Sequence, residues 1–192
     1  MSEEPGNRKR TLVMAALLVP IVGLMVLMAW ALAQTGGNPG GIAINSQPGE
    51  VDVEIGPAPT FLLALLDGGV LDTEELRGKV VMVDFWSSWC PPCIEEAPVL
   101  AVTYPLYADR GVEFVGVAIW DKEADVNKYV ERFNATYLNG IDAQGRIAIS
   151  YGVRGIPEKF FLDREGRLVR KYVGPFTAAK LESVLEEMLA LE

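Results

Sequence analysis

Val80-Val81-Met82-Val83-Asp84-Phe85-Trp86-Ser87-Ser88-Trp89-Cys90-Pro91-Pro92-Cys93 is the stretch on which the fold turns. Its first six residues are β-branched or apolar on both faces of the pleat, Asp84 excepted, which predicts a central strand covered on two sides. Two cysteines follow at once, three positions apart, where the strand gives way to a helix. In the first turn of a helix such a pair approaches within disulfide range, and the unpaired N–H groups and partial positive charge there favour a thiolate on the first. Cys90 is therefore the expected nucleophile. Pro92 suits the first turn, where its missing N–H is not needed, and Cys93, one position inside, is expected to be the more buried. The alternatives are a static disulfide and half of a metal site. A static bridge gains most by closing a long loop, and this one closes a very short loop.

Working outward, the pattern alternates. Upstream, Phe61 to Leu66, the turn Asp67-Gly68-Gly69, and Val70-Leu71 predict a small hairpin. Asp72 with Glu75 has capping-box spacing and opens one helical turn that Gly78 closes. Downstream, Phe114 to Trp120 reads as a second buried strand, and Val126, Tyr129, Val130 and Phe133 recur at i, i+3, i+4, i+7 as a helix stripe. Phe160 to Leu162, the turn Asp163 to Gly166, and Leu168 to Val173 predict a second hairpin. Leu181, Val184, Leu185, Met188 and Leu189 mark a terminal amphipathic helix. Together these make an α/β domain with a mixed sheet, assigned to residues 58–192.

Before that domain lie a tail, 1–10, an apolar segment, 11–33, and a stretch rich in Gly, Pro, Asn, Ser and Gln, 34–57, which reads as a flexible linker. The uncharged run from Leu12 to Ala33 spans about 33 Å as a helix, against a hydrocarbon core of about 30 Å. Arg8, Lys9 and Arg10 precede it and no Lys or Arg follows until Arg77, so the charge bias predicts a cytoplasmic N-terminus and an extracytoplasmic domain. The alternative is a cleaved signal peptide, with Ala31-Leu32-Ala33 as the small-x-small site. Either way the remainder is exported.

Across 192 residues, 26 acidic against 17 basic side chains give a net −9. Setting aside Glu3, Glu4, Arg8, Lys9 and Arg10 leaves 24 acidic and 14 basic residues, a net −10 for the exported part. That charge argues against nucleic acid and against an anionic membrane surface as partners. There is no histidine, which excludes imidazole metal sites and Ser-His-Asp or Cys-His hydrolysis, and two cysteines cannot supply a structural zinc site. No cofactor or metal is expected.

The segment Val83 to Cys93 resembles the active-site stretch of thioredoxin-fold proteins. More narrowly, the anchor, the tether and Ile55 to Leu191 are similar to the membrane-anchored thiol:disulfide oxidoreductases of cytochrome c maturation, a redoxin-like branch. Glu96 and Pro98, the added strand-helix region around Trp120 to Ile141, and Tyr151-Gly152-Val153-Arg154-Gly155-Ile156-Pro157-Glu158 carry that similarity. The resemblance implies a thioredoxin-like mixed β-sheet flanked by helices, a cis bond at Pro157, and a redox-active Cys90–Cys93 pair. Cys90 attacks a substrate disulfide and Cys93 resolves the mixed disulfide. It implies Asp84 and Glu96 as proton-handling carboxylates; Asp84 departs from the amide that many members of the branch carry. Trp89, Pro91, Ile156, Pro157 and Glu158 are the implied substrate-facing residues, the Ile156 backbone pairing with a bound peptide as a short added strand. The implied substrate is a protein disulfide, of an apocytochrome c or an intermediary thiol protein, and the implied partner is a membrane electron donor. A redoxin-type peroxidase using one cysteine needs a hydroxyl donor and a basic residue around it, and no Thr stands two or three positions before Cys90. A non-catalytic binding or chaperone module is the rival from another class. A copper carrier would need CxxxC and a distant His, both missing here.

Overall fold

The computed structural model describes residues 5–34 and 43–191, in two units, Met1–Ile42 and Ala43–Glu192. The first holds helix α1, Pro5–Gln34, with Pro20 inside it. Residues 5–10 of the expected tail continue this helix, with Pro5 at its first position, where a missing N–H is not needed. From Leu12 to Ala31 the helix is long and apolar enough to cross a membrane, with a mean hydropathy of 2.7 and no buried side chain. Residues 35–42 of the expected linker lie outside the described residues.

The second unit begins with short strands β1 (Ala43–Ile44), β2 (Gly49–Val51) and β3 (Gly56–Pro57). The hairpin β4 (Leu62–Ala64) and β5 (Val70–Asp72) and a 3₁₀ turn, Thr73–Leu76, follow. Then come β6 (Val80–Trp86), α2 (Pro91–Ala108), β7 (Val112–Ile119), α3 (Glu123–Phe133), β8 (Leu138–Asp142) and α4 (Arg146–Ser150). The chain ends with β9 (Gly155–Ile156), β10 (Glu158–Leu162), β11 (Arg167–Val173) and α5 (Ala178–Leu189). The main sheet runs β2-β11-β10-β6-β7-β8, with β3 also on β11. β6, β7 and β8 are parallel, while β10 is antiparallel to β6 and β11, so the sheet is mixed.

The expected linker therefore stops short of residue 57. β2 pairs Gly49 to Val51 with Val173 to Lys171, β3 pairs with Arg167 and Leu168, and β1 pairs in parallel with β9. These are main-chain bonds to a sheet edge, which ask for no apolar side chain and so leave no hydrophobic signature.

β6 is buried along its whole length, as its sequence requires. Val80 and Met82 face a core built with Leu100 and Tyr107 of α2, Phe114 of β7 and Leu181, Val184, Leu185 and Met188 of α5. On the other face Phe85 meets Phe160 and Tyr151 at ring-centroid distances of 5.6 and 5.4 Å, and Tyr151 meets Phe61 just before the β4–β5 hairpin. A strand fixed on both faces holds its C-terminal end rigidly, and the cysteine pair stands at that end.

Candidate active site

Cys90 is the N-cap of α2, and its sulfur accepts a hydrogen bond from the Cys93 N–H at 3.3 Å. The two are disulfide-bonded, with Cα atoms 5.3 Å apart. An electronegative atom at the N-cap meets an otherwise unpaired helix N–H, so a Cys90 thiolate would be stabilised by the same geometry. Both cysteines are 0% exposed, so the expected difference in burial is not seen. The reason lies in the preceding loop, which is drawn against the end of β7. The Ser87 hydroxyl donates to the Ile119 carbonyl, the Ser88 N–H and hydroxyl donate to the Asp121 carboxylate, and the Trp89 indole donates to the Trp120 carbonyl. Trp120 sits at φ 48, a left-handed conformation costly for a bulky residue, with Gly145 close beneath its ring. This brings Trp89 and Trp120, each 46% exposed, to the surface beside the disulfide. Trp86 is buried and stacks on Tyr129, whose hydroxyl donates to the Cys93 carbonyl at 2.7 Å.

Among the buried residues next to the pair is a cluster of three charged side chains. Glu96, one turn past Cys93, ion-pairs with Lys159, and its Oε2 also accepts the Phe176 N–H at 2.9 Å. Lys159 donates further to the Gly174 carbonyl and stands 3.6 Å from Asp84 Oδ1, which accepts no hydrogen bond from a described residue. Lys159 is directly opposite Asp84 in the β10–β6 register. Burial pushes the Glu96 carboxyl up to about 7 against the pull of Lys159, and the nearby Asp84 charge adds to the rise. Burial raises Asp84 as well, again against Lys159. The Tyr129 phenol is raised by burial and then by Asp84 and Glu96, so the cluster and the residue touching Cys93 share one electrostatic neighbourhood. Lys159 is the member that sequence reasoning missed. It directly precedes the apolar run Phe160-Phe161-Leu162 and follows Glu158, so nothing local in the sequence marks it as buried.

The Ile156–Pro157 peptide is cis, as the resemblance implies. Of the five expected substrate-facing residues, Trp89 and Pro91 are exposed, whereas Ile156, Pro157 and Glu158 are buried. The Ile156 carbonyl is already taken by the Asn45 N–H at 2.7 Å. Glu158 points inward: it accepts from the Arg154 and Gly155 N–H groups and the Asn45 amide, and its Oε2 is 2.7 Å from Lys171 Nζ. These bonds shape the 154–156 backbone and leave no lone carboxylate for a partner. Pro98 lies inside α2, and Glu95 is exposed.

Residues 55–189 match the Redoxin family model. The chain belongs to the Redoxin family. Over 131 residues this redoxin is 34% identical to the thiol-disulfide oxidoreductase ResA of Geobacillus thermodenitrificans, covering 68% of this chain and 75% of that one. Among solved structures, a thiol:disulfide interchange protein of the thioredoxin family from Chlorobium tepidum aligns with a TM-score of 0.67 and 28% identity, over 73% of this chain and 100% of that chain. A secreted Mycobacterium tuberculosis disulfide oxidoreductase, homologous to E. coli DsbE, aligns with a TM-score of 0.60 and 28% identity, over 66% and 95%. With the fold, the bonded Cys-x-x-Cys pair and these relatives, the redoxin is a thiol:disulfide oxidoreductase acting on protein thiols.

Proposed function

We propose that this redoxin is a reductant of protein disulfides, held by α1 on the outer side of the cytoplasmic membrane. Its substrate is the haem-attachment cysteine pair of an apocytochrome c, or an intermediary thiol protein, and a membrane electron donor restores its dithiol. The observation that carries the reading is the disulfide-bonded Cys90–Cys93 pair at the α2 N-terminus, with Glu96 of the Asp84–Lys159–Glu96 cluster one turn further along the same helix. In the reduced form the Cys90 thiolate attacks one sulfur of the substrate disulfide. The other substrate sulfur leaves as a thiolate and takes a proton from water. Cys93 then loses its proton to the carboxylate cluster and attacks Cys90 Sγ, which releases the second substrate sulfur and leaves the domain oxidised. Two electrons pass from the domain to the substrate. Burial holds both carboxyls above their ordinary range, Glu96 up to about 7, which suits a group that takes up and returns a proton. The names of the relatives support the thiol chemistry, and the apolar segment with Arg8, Lys9 and Arg10 just before it and no Lys or Arg after it until Arg77 supports the outward placement.

The test is to titrate the Cys90/Cys93 couple of the full chain in detergent against a dithiol redox buffer. A midpoint near the thioredoxin value of about −270 mV is expected, and one near about −120 mV would make the protein a disulfide donor and overturn the reading. Cys93→Ser is expected to accumulate mixed disulfides with an oxidised Cys-x-x-Cys-x peptide. Accumulation with Cys90→Ser instead would reverse the two roles.

A further inference from the structure

The active-site face carries a short segment of its own chain. Ala43 and Ile44 lie in parallel register with Gly155 and Ile156, the Ala43 N–H bonds the Arg154 carbonyl at 3.0 Å, and the Asn45 N–H bonds the Ile156 carbonyl at 2.7 Å. The Asn45 amide reaches the Pro157 carbonyl and Glu158 at 3.4 Å each. Two glycines let the segment come this close. A Cβ on Gly155 would stand 2.6 Å from the Ala43 carbonyl oxygen, and one on Gly174, at φ +81, would stand 2.6 Å from the Gln47 carbonyl oxygen and 2.8 Å from Pro48 Cα. Residues 43–48 thus run over Gly155 to Pro157 and on past Gly174. β9 leads directly into β10, whose first residue Glu158 pairs with Phe85, five residues before Cys90, so this edge lies at the end of the sheet where the disulfide stands.

The segment is lightly held. Ala43, Ser46, Gln47 and Pro48 are exposed, Ile44 is 44% exposed, and hydrogen bonds of the main chain and of the Asn45 amide hold the segment. Few buried apolar contacts and solvent-facing backbone bonds are the marks of a low-stability element that opens ahead of the rest.

We propose that residues 43–48 are a strap lying in cis on the edge formed by Gly155, Ile156 and Gly174, where the resemblance already puts a bound peptide, and that an extended, cysteine-bearing segment of a partner protein displaces it. This rests on the oxidoreductase reading. Recognition through an open strand edge is carried by main-chain bonds and so tolerates varied partner sequences. A strap closed nine times in ten would slow docking about tenfold, since apparent affinity scales with the open fraction.

The experiment uses the full chain in detergent and Asn45→Pro, which deletes the N–H bonded to Ile156 and the side-chain amide while keeping an extended backbone. Two reductants are compared against the Cys90–Cys93 disulfide: dithiothreitol, and a twelve-residue peptide with an internal Cys-x-x-Cys dithiol, each giving up two electrons to become its own disulfide. Asn45→Pro is expected to raise the peptide rate by up to about tenfold while changing the dithiothreitol rate less than about twofold. An unchanged or slower peptide rate would overturn the strap alone. Failure of both reductants with the wild type would overturn the oxidoreductase reading with it. Hydrogen exchange on the wild type gives an answer that needs no variant: with saturating peptide carrying Ser for both cysteines, the Ala43 and Asn45 amides are expected to lose protection, and retained protection counts against the strap.

Discussion

Lys159 has no exposed surface, so its charge must be met inside the protein, and Glu96, Asp84 and the Gly174 carbonyl meet it. The arrangement has more negative than positive capacity, and burial resolves the excess by holding protons. An unfolded chain gives up the glutamate proton near its ordinary 4.5, whereas the folded chain keeps it to about 7. Between those values the folded state binds more protons, so the free energy of unfolding falls as pH rises through the window. The raised Asp84 acts in the same direction. Urea midpoints of the oxidised protein are therefore expected to decline from pH 5 to pH 8, by up to about 3 kcal/mol in unfolding free energy. Glu96→Gln should leave only the Asp84 share of that slope. A wild-type profile that is flat over this range would show that Glu96 carries no such proton. Asp84 and Glu96 could be named from sequence because the resemblance implies a carboxylate role at each of their offsets from the cysteines. Lys159 was not, because only the antiparallel register of β10 on β6 brings it opposite Asp84, and register is a property of two distant segments.

At the scale of elements, the site depends on how the loop after β6 is tied to the end of β7. Asp121 receives both the N–H and the hydroxyl of Ser88 and the N–H of Lys122, so one carboxylate fixes two turns. Asp121→Ala removes those acceptors from partly buried donors and is expected to cost about 1–3 kcal/mol in the denaturant midpoint. Asp121→Asn, which keeps one acceptor oxygen, should recover part of the loss, and an Ala variant as stable as wild type would show that the loop holds itself. Strong periodicity made β6, β7, α3, the β10–β11 hairpin and α5 readable, since each buries side chains that had to be apolar at the right spacing. The stretch from Ala43 to Pro57 was read as linker because Gly49, Gly56 and Pro57 join the edge of β11 through backbone alone. Composition reports what side chains bury and is silent on such pairing.

The described residues form one apolar helix and one acidic redox domain, and the compartment that the domain faces decides what the chemistry is worth. In a reducing compartment a dithiol of this kind competes with abundant soluble thiols, whereas outside the membrane protein disulfides persist and a reductant has work to do. The proposed orientation rests on Arg8, Lys9 and Arg10, since no other Lys or Arg occurs before Arg77. The same spacing leaves trypsin no site between Arg10 and Arg77, so topology is best read with proteinase K and a C-terminal epitope. Intact spheroplasts treated with the protease are expected to lose the epitope from the membrane fraction, by release of the domain or its digestion. Changing Arg8, Lys9 and Arg10 together to Ser should weaken that bias and protect a fraction of the chains. An epitope that stays membrane-bound and protected until lysis would place the domain in the cytoplasm and remove the reason for a tethered reductant. An epitope already soluble before proteolysis would mean cleavage near Ala33, freeing the domain to diffuse and to meet partners away from any membrane electron donor.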